Sequence, residues 1–155
     1  MDTKHRKLHL ALFMAYCALM VSLLFDRPGP IAGVPYWEQI KMSINFVPFR
    51  TVMRYMRLLR RRPNAYLIRH AVINLAGNVV MFIPLGFFLP GIWQKFRKLW
   101  KTLLATGLII TLVELIQLFT LVGSCDIDDL TLNVTGAAIG YGIYKLTNHY
   151  GNRTA

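Results

Sequence analysis

The chain has 155 residues and a formal net charge of +11, from 18 Lys and Arg against 7 Asp and Glu. It is 55% hydrophobic and only 16% charged, where an ordinary soluble domain carries about 25% charged residues. That balance excludes a simple soluble domain. It also excludes nucleic-acid binding as the reason for the charge, because the basic residues gather at the ends of apolar runs and on one amphipathic segment, where phospholipid headgroups are the nearer phosphates.

The first apolar run covers 8–25, about the length a helix needs to cross a hydrocarbon core. Lys4, Arg6 and Lys7 precede it as in a signal peptide, but "ALMVSLLFDRPGP" ends it without a small-x-small cleavage site, so it reads as an uncleaved anchor. Pro and Gly crowd the following "DRPGPIAGVP", which predicts an irregular turn. "NFVPF", with Asn45 and Pro48, repeats that signal and introduces "FRTVMRYMRLLRRRPNA". Arg50, Arg54, Arg57 and Arg61 share one helical face, with Phe49, Val52, Met53, Met56 and Leu59 largely opposite. The pattern predicts a short basic helix over 49–62 lying in the membrane interface, guanidinium groups toward phosphates.

A second run, 70–93, contains Pro84, which removes an N–H and predicts a kink near 80–84; Pro90 and Gly91 close it. The basic connector "QKFRKLWK" leads to a third run, 102–123, and a fourth follows over 130–147. The fold class is therefore all-α, a polytopic membrane protein of four transmembrane helices plus the interfacial helix, in one domain over 1–155. Lys and Arg tie at nine on each side of the membrane, so the positive-inside count does not orient the chain. Three separate short basic segments favour cytoplasmic termini, with the acidic loop outside. Cys17 and Cys125 are expected at different depths, too far apart for a disulfide.

Polar residues inside these runs mark the chemistry. Glu114 is a carboxylate in mid-span, costly to insert unless paired, hydrated or protonated. Gln117 follows one turn on, and Thr111 and Gly107 are read as the same face. His70, Asn74 and Asn78 share a face of the second run; His70 reads as an interfacial residue. Asp126, Asp129 and Asn133 share a face of the fourth, which Gly136 and Gly140 extend as a GxxxG. Antiparallel spans place Asn78, Glu114 and Asn133 in the membrane half nearest the acidic loop, predicting one polar cluster there. Blander roles stand beside this: the glycines pack helices, the asparagines bridge them, and Asp128 or Asp129 caps the fourth helix.

With these motifs in view, the chain resembles the VanZ-like family of bacterial membrane proteins. The match rests on "NFVPF", on "NVVMFIPLGFFLP" from Asn78 through Pro84 and Gly86, on "ELIQ" from Glu114 to Gln117, and on "DIDDLTLNVTG" from Asp126 to Gly136. Together these span 45–142. Many relatives carry an Arg shortly before the first Asp, and "LVGSC" has none. The resemblance implies a protein of the bacterial cytoplasmic membrane associated with resistance to teicoplanin, a lipoglycopeptide-type antibiotic, and it carries over no catalytic residues.

Three functions remain open from the sequence. The first is a non-enzymatic binder without cofactor. Asn78, Glu114, Gln117, Asp126, Asp129 and Asn133 form its pocket toward the outer leaflet, and Arg50, Arg54 and Arg57 meet the phosphate of a lipid headgroup, a lipid-linked cell-wall precursor or the lipidated drug. The second is a metal-dependent intramembrane hydrolase or transferase, with Asp126, Asp128 and Asp129 as oxygen ligands and Glu114 as base. The third is a small transporter or assembly subunit in which Glu114 acts as a proton or ion site, which needs an oligomer such as a homodimer through the Gly136–Gly140 face.

Overall fold

The computed structural model describes residues 3–26, 28–61 and 64–151. Position 62, at the end of the expected interfacial helix, lies outside them. Six α-helices appear among the described residues: α1 (Thr3–Phe25), α2 (Tyr36–Met42), α3 (Arg50–Arg61), α4 (Ala65–Ile92), α5 (Leu99–Phe119) and α6 (Ile127–Gly151). A 3-10 turn, Gln94–Phe96, links α4 to α5, and two short strands, β1 (Ile44–Asn45) and β2 (Cys125–Asp126), complete the order.

Among the described residues three helices are long and apolar enough to cross a membrane, over Arg6–Phe25, Ala65–Ile92 and Leu99–Phe119. The expected fourth span falls within α6, which is long enough at 25 residues but does not reach the same apolar content. The reason is its position in the bundle. α6 packs against both α4 and α5, so much of its surface meets protein, and Asn133, Gly136, Ala137 and Gly140 are buried there. α1 is the opposite case: apart from Met20 its described side chains are half-buried or exposed, as a lipid-facing helix requires.

The α4–α6 contact is a backbone-on-backbone approach. A Cβ on Gly136 would stand 2.0 Å from the Val79 carbonyl oxygen, one on Gly140 1.9 Å from that of Ile83, and one on Gly86 1.9 Å from that of Ala137. Glycines on both helices thus let the axes close, as the GxxxG pattern anticipates. The same fact corrects the expected dimer face: Gly136 and Gly140 are covered by α4 of the same chain and cannot pair two copies.

α4 runs without a break through Pro84 and Pro90. Pro84 leaves the Val80 carbonyl without its helical donor, and beside it the Tyr16 hydroxyl of α1 donates to the Met81 carbonyl at 2.8 Å. α4 begins five residues earlier than expected, because Asn64 caps it by accepting the Leu67 N–H at 2.7 Å. The apolar core gathers Met20, Phe82, Leu85, Leu89 and Ile110, with Phe13, Tyr16 and Trp93 packed around it. At the other end Ile40, Leu118 and Cys125 form a smaller cluster under Ile44 and Leu121.

The strands are a clip that the all-α reading did not anticipate. Ile44 pairs with Cys125 and Asn45 with Asp126 in parallel, and the Cys125 N–H donates to the Ser43 carbonyl at 2.9 Å. The clip brings the start of α3 against the start of α6.

Candidate functional site

The three aspartates of the acidic loop divide into separate tasks. Asp126 stands just before α6, and its Oδ1 accepts the Asp128 N–H at 2.9 Å, which is the work of an N-cap. It also accepts from Asn45 Nδ2 at 3.0 Å and from the Thr51 hydroxyl at 2.5 Å. The expectation that Asp128 or Asp129 caps α6 therefore moves to Asp126. Asp128 instead turns its carboxylate onto α3: Oδ1 accepts the Phe49 N–H at 2.5 Å, and Oδ2 those of Thr51 at 2.8 Å and Val52 at 3.3 Å. Asp129 faces inward and accepts from Asn78 Nδ2 at 2.6 Å. Asp126 and Asp128 thus spend their oxygens on backbone and side-chain donors, so the three do not form the metal cradle of the hydrolase reading. Among the described residues no group of three or more His, Cys, Asp or Glu is placed to hold a metal ion.

The polar cluster expected inside the membrane does form. Asn78 of α4, Glu114 and Gln117 of α5, and Asp129 and Asn133 of α6 line one cavity, closed by Leu24, Phe82, Ile110 and Val113. Asp126, expected with them, lies outside it in the α3–α6 clip. The cavity measures about 20 Å³, room for a water molecule and not for a sugar ring or a phosphate headgroup. The headgroup pocket expected among these residues is larger than this cavity.

Gln117 Nε2 donates to the Leu24 carbonyl at the end of α1, 2.7 Å away, and the Cys125 thiol lies 3.8 Å from Glu114 Oε2. Burial, then the Glu114 carboxylate and its contact, then Asp126, push the Cys125 thiol up, keeping it the protonated, donating partner. Glu114 Oε1 and Asn133 Oδ1 have no hydrogen-bond partner. The buried face of α5 runs through Thr102, Thr106, Ile110, Glu114 and Gln117. Thr111 is exposed and bonds back to the Gly107 carbonyl at 2.8 Å, so these two do not belong to that face. Asn74 is half-buried with Oδ1 unpartnered, outside the cavity, and His70 is exposed.

The arginines lie on the other side of the clip. α3 has no fully buried residue; Thr51, Val52, Tyr55 and Leu59 are half-buried, whereas Phe49, Met53 and Met56 are exposed. Arg54, Arg57 and Arg61 line an open groove of about 280 Å³ with Leu58. Arg50, expected with them, does not reach the groove, and Arg61 takes its place.

A family model described as VanZ/LLP1 matches residues 13–148. The chain belongs to the VanZ-like family. It is 33% identical over 144 residues to Protein VanZ of Enterococcus faecium, an alignment covering 93% of this chain and 76% of that protein. No solved structure matches it. A multi-pass membrane protein is what the family and the apolar helices together give.

In this VanZ-like chain the four motifs are joined by contacts between neighbouring elements. Asn45 of "NFVPF" bridges Asp126, and Pro48 and Phe49 form the turn that enters α3. Asn78, Phe82 and Gly86 of the second motif contact Asp129, the core and Ala137 in turn. Glu114 and Gln117 supply the α5 wall of the cavity. Thr51 and Cys125 carry interactions that the sequence reading passed over. Thr51 sits beside an arginine run that dominates its surroundings, and Cys125 reads as an isolated thiol until the strand pairing is known.

Proposed function

We propose that this protein is a non-enzymatic component of a bacterial cytoplasmic membrane that engages phosphate-bearing headgroups through α3 and so lowers teicoplanin action. The observation that carries the reading is the groove of Arg54, Arg57 and Arg61, fixed to the bundle by Asp128 and flanked by exposed Phe49, Met53 and Met56. Guanidinium groups favour phosphate, and the apolar flank favours the acyl boundary beneath it. Its occupants are membrane lipids, a lipid-linked cell-wall precursor or the lipidated drug.

In this arrangement α6 is the fourth span. At 1.5 Å per residue its 25 residues extend about 37 Å. The termini are cytoplasmic, and the acidic loop and α3 face outward, where teicoplanin meets its target. The family's association with teicoplanin resistance supports this placement, and so does the anchoring of α3 to the acidic loop through Asp128.

The test is drug susceptibility in a teicoplanin-sensitive Gram-positive host carrying wild type or Arg54→Glu with Arg57→Glu, at matched membrane levels. Wild type is expected to raise the inhibitory concentration of teicoplanin and leave that of vancomycin unchanged. The charge-reversed protein is expected to lose most of that protection. Full protection by the reversed variant overturns the role of α3, and no protection by wild type overturns the teicoplanin reading for this chain.

A further inference from the structure

Two oxygens deep in the bundle lack a donor. Glu114 Oε1 and Asn133 Oδ1 have no hydrogen-bond partner, each residue is only 6% exposed, and both line the cavity of about 20 Å³. The neighbouring amides do not supply what is missing. Asn78 turns one N–H to Asp129 at 2.6 Å and Gln117 one to the Leu24 carbonyl at 2.7 Å, and no side-chain N–H bonds to either of the two oxygens. No Lys, Arg or His is among the described residues lining the cavity. The two oxygens stand as open acceptors, and Leu24, Phe82, Ile110 and Val113 wall the space with apolar side chains.

A water there satisfies two acceptors but gives an ionised Glu114 no counter-charge, and a bare charge in apolar surroundings is costly. A positive charge answers both demands. We propose that this cavity binds one small monovalent cation of the sodium type, held by Glu114 Oε1 and Asn133 Oδ1 with Asn78, Gln117 and Asp129 around it. Carboxylate and amide oxygens are the donors that hard cations take. The volume, about that of one water, fits a dehydrated ion of this size. The lining comes from α1, α4, α5 and α6, and Gln117 ties α5 to the last turn of α1, so the bound ion joins four helices. The cation site does not depend on the arginine groove and stands or falls separately from it.

The experiment is thermal unfolding of the purified full-length protein in detergent, titrated with sodium chloride against choline chloride at constant ionic strength and fixed pH. Wild type is expected to gain in melting midpoint with sodium and to saturate, as a ligand that binds only the folded state must do. Asn133→Ala is expected to raise the half-saturating sodium concentration by on the order of tenfold, and Glu114→Gln to remove the response. Should the Glu114 variant not fold, calorimetric titration of wild type with sodium chloride decides alone, with saturable heat expected in sodium and none in choline. A wild-type midpoint equal in sodium and choline overturns the proposal, as does a sodium response that survives in Glu114→Gln. A midpoint that responds to pH and ignores sodium also overturns it and assigns the place to a proton shared by the two oxygens.

Discussion

Gly140→Ala is expected to destabilise the bundle by about 3 kcal/mol, although alanine is the better helix former. The added Cβ would stand 1.9 Å from the Ile83 carbonyl oxygen and 3.0 Å from the Phe87 nitrogen. Both are backbone atoms that cannot rotate away, so α4 and α6 must separate. Separation opens the packing that Gly136 and Gly86 also require, where a Cβ would meet Val79 and Ala137 backbone atoms just as closely. Helix propensity returns only about 1 kcal/mol, so the steric term wins. Two residues along, Gly142 has nothing within 4 Å of its would-be Cβ. Gly142→Ala is therefore expected to be neutral or stabilising by about 0.5–1 kcal/mol. The comparison is a pair of melting curves in one detergent. A Gly140→Ala midpoint at or above wild type refutes the close approach, whatever Gly142→Ala does.

The helices were legible in the sequence because lipid-facing surface must be apolar, and α1, α4 and α5 write that requirement into long runs. α6 was legible only in part. A helix surrounded by protein needs small residues and internal polar partners, and Asn133, Gly136 and Gly140 dilute the apolar signal that marks a span. The same burial makes it the organiser of the site. Depth and helical periodicity were enough to place Asn78, Glu114 and Asn133 together, since antiparallel spans fix which ends meet. They were not enough to give the volume left between those side chains, which depends on how Leu24 of α1, Phe82 of α4 and Ile110 of α5 pack.

The acidic loop shows where one-dimensional reading fails. Asp126, Asp128 and Asp129 look like one cluster, yet they address a clip, a distant helix and the bundle interior. Consecutive residues at a helix start point in directions about 100° apart, so neighbours in sequence serve different partners. Asn45 and Phe49 could not be assigned to those partners either, because the two-residue parallel pairing of β1 with β2 joins positions 81 residues apart and carries no periodic signal.

Asp128→Ala is expected to release α3 without unfolding the bundle. α3 begins at Arg50 with Phe49 in the capping position, and Phe49 has no acceptor and a φ of 62°. A helix start needs its first N–H groups satisfied, and here Asp128, 77 residues away from Thr51, accepts those of Phe49, Thr51 and Val52. Its charge also offsets the positive end of a helix with no acidic residue in its first turn. Losing an N-cap costs about 0.5–2 kcal/mol, and bonds to a charged acceptor reach about 1.5–3 kcal/mol, so about 2–3 kcal/mol is at stake. That exceeds what holds a 12-residue helix on its own in water, where helices this short are marginal. Asp128→Asn keeps one acceptor oxygen where two are used and is expected to lose about half as much. The readout is amide hydrogen exchange over 49–61 in detergent: faster exchange there, with α4 and α5 unchanged, is the expected result. Unchanged protection of α3 in Asp128→Ala refutes the long-range cap. Because the arginine groove is built on α3, the same variant is expected to reach the membrane at wild-type level and still give up most of any teicoplanin protection, which separates positioning of the arginines from their charge.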